Sequence, residues 1–136
     1  MEKNVQPTNP QETLLVNFAA AFASGEAQRM HSLIDTDIIA FVTNDNAELD
    51  KIEGADNFMR RIESVDYSGV NLQIQPTQLI TLNSNQVMGM FHVTAHKKGI
   101  DFENFGAFLC YTKNNKITHF WMLDAKPNYS DEFWKK

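Results

Sequence analysis

A chain of 136 residues with 43% hydrophobic and 21% charged side chains has the size and composition of one folded domain, and it is too apolar for a disordered segment. Its net charge of −5, with basic pairs only at Arg60-Arg61, Lys97-Lys98 and Lys135-Lys136, excludes the clustered basic face that grips a phosphate backbone. A single cysteine, Cys110, excludes an intrachain disulfide. The polar opening MEKNVQPTNPQE does not resemble a secretory signal, and the longest apolar run, Phe18 to Ala23, is far short of a membrane span. These features point to a cytoplasmic protein with neither nucleic acid nor membrane as a partner.

Residues 1–8 show no periodicity and read as a flexible arm, leaving 9–136 as a single domain. Asn9-Pro10-Gln11-Glu12 reads as a helix start, with Asn9 as cap, Pro10 at the first helical position and Glu12 where a capping acid reaches back. Leu14, Leu15, Phe18, Ala21 and Phe22 follow at helical spacing until Ser24-Gly25. A shorter helix is predicted from Glu26 to Ile34, and a β-branched, aromatic strand from Asp37 to Thr43. Asn44 to Glu53 reads as a loop or short edge strand. Gly54 opens a third helix with Phe58, Met59, Ile62 and Val65 on its apolar face.

From Gly69 the period changes to two. Val70, Leu72 and Ile74 alternate with polar residues until Pro76, which marks a bend or an edge position. Strands are predicted at Gln78 to Asn83, Gln86 to Lys97, Asp101 to Lys113 and Lys116 to Lys126, and the sheet is expected to be antiparallel. The tail from Pro127 to Lys136 holds Tyr129, Phe133 and Trp134, too aromatic for a frayed end.

Two-residue turns at Lys98-Gly99 and Asn114-Asn115 set a register in which His92 faces Phe105, Met90 faces Ala107 and Phe105 faces Asp124. One face then carries Met88, Met90, His92, Phe105, Leu109, Tyr111, Phe120, Met122 and Asp124, and it is expected to lie under the helices. The opposite face carries Phe91, Phe108, Cys110, Ile117, His119 and Trp121. Neither is polar, so this second face is expected to meet a second copy of the chain in a homodimer.

Helix, helix, strand, helix and then long antiparallel strands is an order that resembles the nuclear transport factor 2-like superfamily over Gln11 to Lys126. The last strand, Lys116-Ile-Thr-His-Phe-Trp-Met-Leu-Asp124, looks most like the SnoaL-like polyketide cyclases, with Phe120 at their aromatic position. The resemblance implies a cone-shaped α+β domain with a pocket between helices and sheet. It further implies cofactor-free acid/base chemistry with Asp124 as the acid/base. Ketosteroid isomerases of this fold need a tyrosine where Phe18 stands, a base near Val42 or Thr43 and an acid near Ala107, and all three groups are missing. The Arg/Asp arrangement of limonene epoxide hydrolase is absent as well, since no arginine follows Arg61.

Asp124 and His92 are therefore the candidate catalytic residues, sharing a row with Phe105 between them. Phe18, Met90, Phe105, Leu109, Tyr111, Phe120 and Met122 are the candidate ligand-binding residues. No spacing of His, Cys or acids suggests a metal site. Three readings stay open. The chain acts by acid/base chemistry on a small, largely apolar carbonyl compound, or holds such a ligand without reaction, or serves as a dimerisation module.

Overall fold

The computed structural model describes residues 5–44, 46–65 and 69–135. The chain begins with α1 (Pro10–Ser24), held at its start as the sequence predicts. Asn9 Oδ1 accepts from the Glu12 amide at 2.9 Å, with Pro10 in the first turn. Glu12 accepts in return from the Thr8 amide and hydroxyl, both at 3.0 Å, and from Thr81 Oγ1 at 2.6 Å. One buried carboxylate thus caps the helix, anchors Thr8 and ties α1 to a strand 69 residues away. Residues 1–4 of the expected arm lie outside the described residues. Gly25 ends α1 at φ 69, a left-handed conformation that costs glycine little.

Next come α2 (Ala27–Leu33), β1 (Ile34–Thr43), β2 (Leu49–Glu53) and α3 (Ala55–Glu63). The second half is β3 (Gln73–Asn83), β4 (Gln86–Lys97), β5 (Ile100–Lys113), β6 (Lys116–Asp124) and α4 (Pro127–Lys135). Three helices precede the strand-rich half as expected, and the aromatic tail forms a fourth. The six strands make one sheet in the order β2-β1-β6-β5-β4-β3.

Some expectations change. The sheet is mixed, because β1 lies parallel to β6, pairing Ala40 with Phe120 and Val42 with Met122. Strand periodicity carries no direction, and a parallel pair built through a long crossover leaves no turn signal. β1 also begins three residues earlier than Asp37, where Ile34 pairs with Ile117. Asn44 to Glu53 does hold an edge strand, β2. Pro76 does mark an edge position, though its strand continues past it. β3 runs through it with a register shift before Gln78, which an outermost strand tolerates because proline's missing N–H is not needed there.

The largest correction concerns the two faces. The β4/β5 register is the expected one, His92 opposite Phe105 and Met90 opposite Ala107. The helices, however, cover the other side. Phe91, Phe108 and Cys110 lie in the core, so they cannot form a dimer surface. Gly89 shows why α1 sits there. A Cβ on it would come within 2.7 Å of the Phe91 ring and 3.0 Å of Leu15 Cδ2, so only glycine admits this approach.

The second cause is a shift in β6. The Asn114-Asn115 turn pairs Lys113 with Lys116 as expected, but Thr112 pairs with Ile117 and Tyr111 already with His119. Thr118 is the extra residue, its hydroxyl donating to the Tyr111 carbonyl at 3.1 Å. Every later side chain of β6 changes face. Phe120, Met122 and Asp124 join the helix-covered side, while His119, Trp121 and Leu123 share the outer face with Met90, His92, Phe105, Leu109 and Tyr111.

Candidate functional site

Phe18, Phe58 and Phe120 are fully buried and meet ring against ring, with centroids 5.2 to 6.0 Å apart. Phe108 continues the cluster at 5.1 Å from Phe120, and Phe91 lies 4.8 Å beyond it. This packing seals one end of the space between helices and sheet. Toward the C-terminal ends of β1 and β6 the packing opens into a cavity of about 620 Å³. Its apolar wall includes Phe22, Ile62, Leu72, Phe102, Met122 and Trp134.

Its polar groups come from several elements. β5 supplies Asn104, which is only 3% exposed. β6 supplies Asp124 and α4 supplies Ser130, while Thr43, Asn44, Asp50 and Arg61 come from β1, the turn after it, β2 and α3. Asn104 Nδ2 donates to Asp124 Oδ1 and to Ser130 Oγ, both at 2.7 Å, and its Oδ1 accepts from the Phe105 amide at 2.8 Å. Asp124 Oδ1 also accepts from the Lys126 amide at 2.8 Å, and the Asp124 amide donates to Thr43 Oγ1 at 3.2 Å. Among the described residues no group donates to Oδ2. Asp124 is therefore held from one side, with its second oxygen uncommitted beside the cavity. Gly106, opposite it in the register, offers no side chain to fill the space.

A second polar pair lies on the same lining. Arg61 Nη1 donates to Asp50 Oδ2 at 2.8 Å, and Asn44 Nδ2 donates to Asp50 Oδ1 at 2.9 Å. The guanidinium first, then the Asn44 amide, holds the Asp50 carboxyl below the usual range.

α4 closes one side. Phe102 stacks on Tyr129 at 4.9 Å and meets Phe133 at 4.6 Å, and Lys97 Nζ donates to the Phe133 and Trp134 carbonyls at 3.2 Å. That lysine neutralises the negative end of the helix it caps.

Of the residues expected at a site, Asp124 and Met122 line the cavity, and Phe105 borders it. Phe18 and Phe120 belong to the sealed core beneath. Met90, Leu109, Tyr111 and His92 lie on the outer face, where the His92 ring lies 5.1 Å from that of Phe105 and Nε2 lies 3.0 Å from Glu103 Oε2. The expected row of Asp124, Phe105 and His92 does not form, because the Thr118 bulge puts Asp124 and His92 on opposite sides of the sheet. Asn104, Ser130 and Arg61 were not anticipated. The signal for Asn104 is an amide within the otherwise apolar alternation Phe102, Asn104, Gly106, Phe108, Cys110. Burial pushes the Cys110 thiol far up, leaving it a small hydrophobe. Among the described residues no three His, Cys, Asp or Glu side chains converge as metal ligands, and no helix is long and apolar enough to cross a membrane.

No protein-family model and no curated protein sequence matches this chain. Solved structures do. Bal32a, from a soil-derived mobile gene cassette, superposes with a TM-score of 0.76 at 16% identity, over 92% of this chain and 96% of its own. A candidate SnoaL-like polyketide cyclase from Shewanella putrefaciens gives 0.74 at 15% identity, over 96% of this chain and 100% of its own. TerC, co-crystallised with polyporic acid, gives 0.71 at 11% identity, over 90% and 97%. At these identities the likeness is one of fold, and the chain has the nuclear transport factor 2-like fold.

Proposed function

We propose that this chain is a SnoaL-like protein that takes a small, largely apolar carbonyl compound into the cavity and acts on it through Asp124 by cofactor-free proton transfer. The observation that carries this reading is Asp124 itself. One oxygen is fixed by Asn104 and the Lys126 amide, and among the described residues nothing donates to the other, beside an apolar wall. A general acid/base needs that combination of fixed direction and free lone pair. Asn104, itself held by Ser130, orients the carboxylate, and His92, across the sheet, takes no part. The similar fold of a candidate polyketide cyclase and of TerC supports the choice of ligand class.

Native mass spectrometry of the purified protein tests it first, with a co-purified carbonyl compound as the expected result. Asp124→Asn, which keeps size and shape, is expected to abolish turnover of that compound with the fold intact. Retained turnover contradicts the assignment. Affinity that changes only modestly, with no reaction in the wild type, identifies a binding protein.

The outer face of the sheet is apolar as well. Met90, Phe105 and Leu123 are 42%, 45% and 44% exposed, and beside them Trp121 stacks on Phe41 at 5.1 Å. A patch of this kind is costly to leave in water, so we assign it to a homodimer. Light scattering at micromolar concentration is expected to give twice 15.5 kDa. A monomer mass contradicts it. The lone, buried Cys110 fits a reducing compartment such as the cytoplasm.

A further inference from the structure

We propose that Arg61 is the residue that reads the ligand, and that it selects a neutral ketone over a carboxylic acid by holding the ketone oxygen. The inference rests on the reading of the cavity given above. Arg61 stands in the last turn of α3 and is the one cation among the described residues lining the cavity. Its Asp50 partner fixes the guanidinium plane, and Asn44 fixes Asp50 in turn. A guanidinium has five N–H donors. Among the described residues Arg61 donates only to Asp50, so the remaining donors are available to a ligand. The side chain is 32% exposed, open enough to meet a ligand and sheltered enough for the contact to matter.

Charge decides which oxygen it takes. Arg61 shares the lining with Asp50, its ion-pair partner, and with Asp124, a second acid. Asp50 already balances the guanidinium. A ligand carboxylate reaching Arg61 would meet this excess of negative charge in a partly apolar space, where like charges repel strongly. A ketone oxygen accepts the same hydrogen bonds and brings no charge. Arg61 and Asp124 lie on one polar arc, joined through Asp50, Asn44 and the adjacent Thr43, whose hydroxyl accepts from the Asp124 amide. The ligand is therefore an apolar body with a neutral acceptor oxygen at the Arg61 part of the arc.

Three naphthalenes of similar shape test this by equilibrium dialysis: 2-acetonaphthone, a ketone; 2-naphthoate, a carboxylate; and 2-ethylnaphthalene, without oxygen. The wild type is expected to bind the ketone about tenfold or more tighter than either other probe, the usual effect of one hydrogen bond from a charged donor. Arg61→Gln is expected to remove that advantage while leaving the hydrocarbon within about twofold. Arg61→Lys, which keeps the charge but not the fork, falls between. Three results overturn the inference while leaving the cavity reading in place. They are a ketone no better than the hydrocarbon in the wild type, a carboxylate that binds tightest, and an Arg61→Gln variant that weakens ketone and hydrocarbon by the same factor. Failure of the wild type to bind both the ketone and the hydrocarbon removes the reading and the inference together.

Discussion

β5 and β6 build both ends of the layer beneath the helices, and the two ends are finished differently. At the sealed end Phe108 and Phe120 join Phe18 and Phe58 in a cluster with no polar side chain in it. At the open end the same two strands carry Asn104 and Asp124, and α4 meets them with Ser130. Aromatic packing gives the greatest stability per residue, so placing a buried amide and an acid on these strands sacrifices some of it. Sites that bind or react are commonly built in this way, on rigid strands beside a well-packed core.

The contrast can be broken by substitution. Phe120→Ala is expected to cost about 3–5 kcal/mol in urea denaturation, the usual range for a phenylalanine in a closed core. Met122→Ala, two residues on but at the cavity wall, is expected to cost less than half of that, because the space it leaves joins one already open. Equal losses would mean that the two ends do not differ. Asn104→Leu fills the same volume but leaves the Phe105 amide and Ser130 without their partner. It is expected to cost about 1–3 kcal/mol by the same measurement, and an unchanged midpoint would show that the network contributes nothing to stability.

Glu12 ties α1 to β3 beside the sealed core. Chiefly the Thr81 hydroxyl, with help from Thr8 and Asn9 and against the effect of burial, lowers its folded pKa below the ordinary 4.5. Its contribution is fully present above that ordinary value and is lost as pH falls through the lowered folded value. Glu12→Gln is expected to be about 1 kcal/mol less stable at pH 7 and to approach the wild type in strong acid. Thermal melts across that range decide it; a difference that persists in strong acid contradicts this account of the cap. His92→Ala, on the outer face, is expected to change stability by less than about 0.5 kcal/mol and to leave ligand binding as it was. Any larger loss of binding would return His92 to the site.

Much of the architecture was legible in the sequence because it rests on local chemistry. Asn9, Pro10 and Glu12 mark the start of α1, Gly25 its end, and Asn114-Asn115 the last hairpin turn. Asp124, singled out through the resemblance of the last strand, does line the cavity. Its neighbours were not legible, because they depend on which side of the sheet each strand presents. Phe91 and Phe108 on one side and Met90 and Phe105 on the other are equally apolar, so hydrophobicity could not choose the side for the helices. The Thr118 bulge then exchanged the faces of β6 three residues after a correctly placed turn. Asn104 and Asp124 became partners, and His92 lost its place beside them. Arg61 and Asp50 meet across eleven residues of strand and helix, a contact that sequence spacing does not specify.

Small molecules are expected to be handled inside the cavity and not on the outer face. The most direct measurement is a two-dimensional amide NMR titration of isotope-labelled protein with 2-acetonaphthone. Shifts are expected to concentrate at Asn104, Gly106, Asp124 and the Trp134 indole. Shifts confined to Met90, His92, Tyr111 and His119 would contradict it.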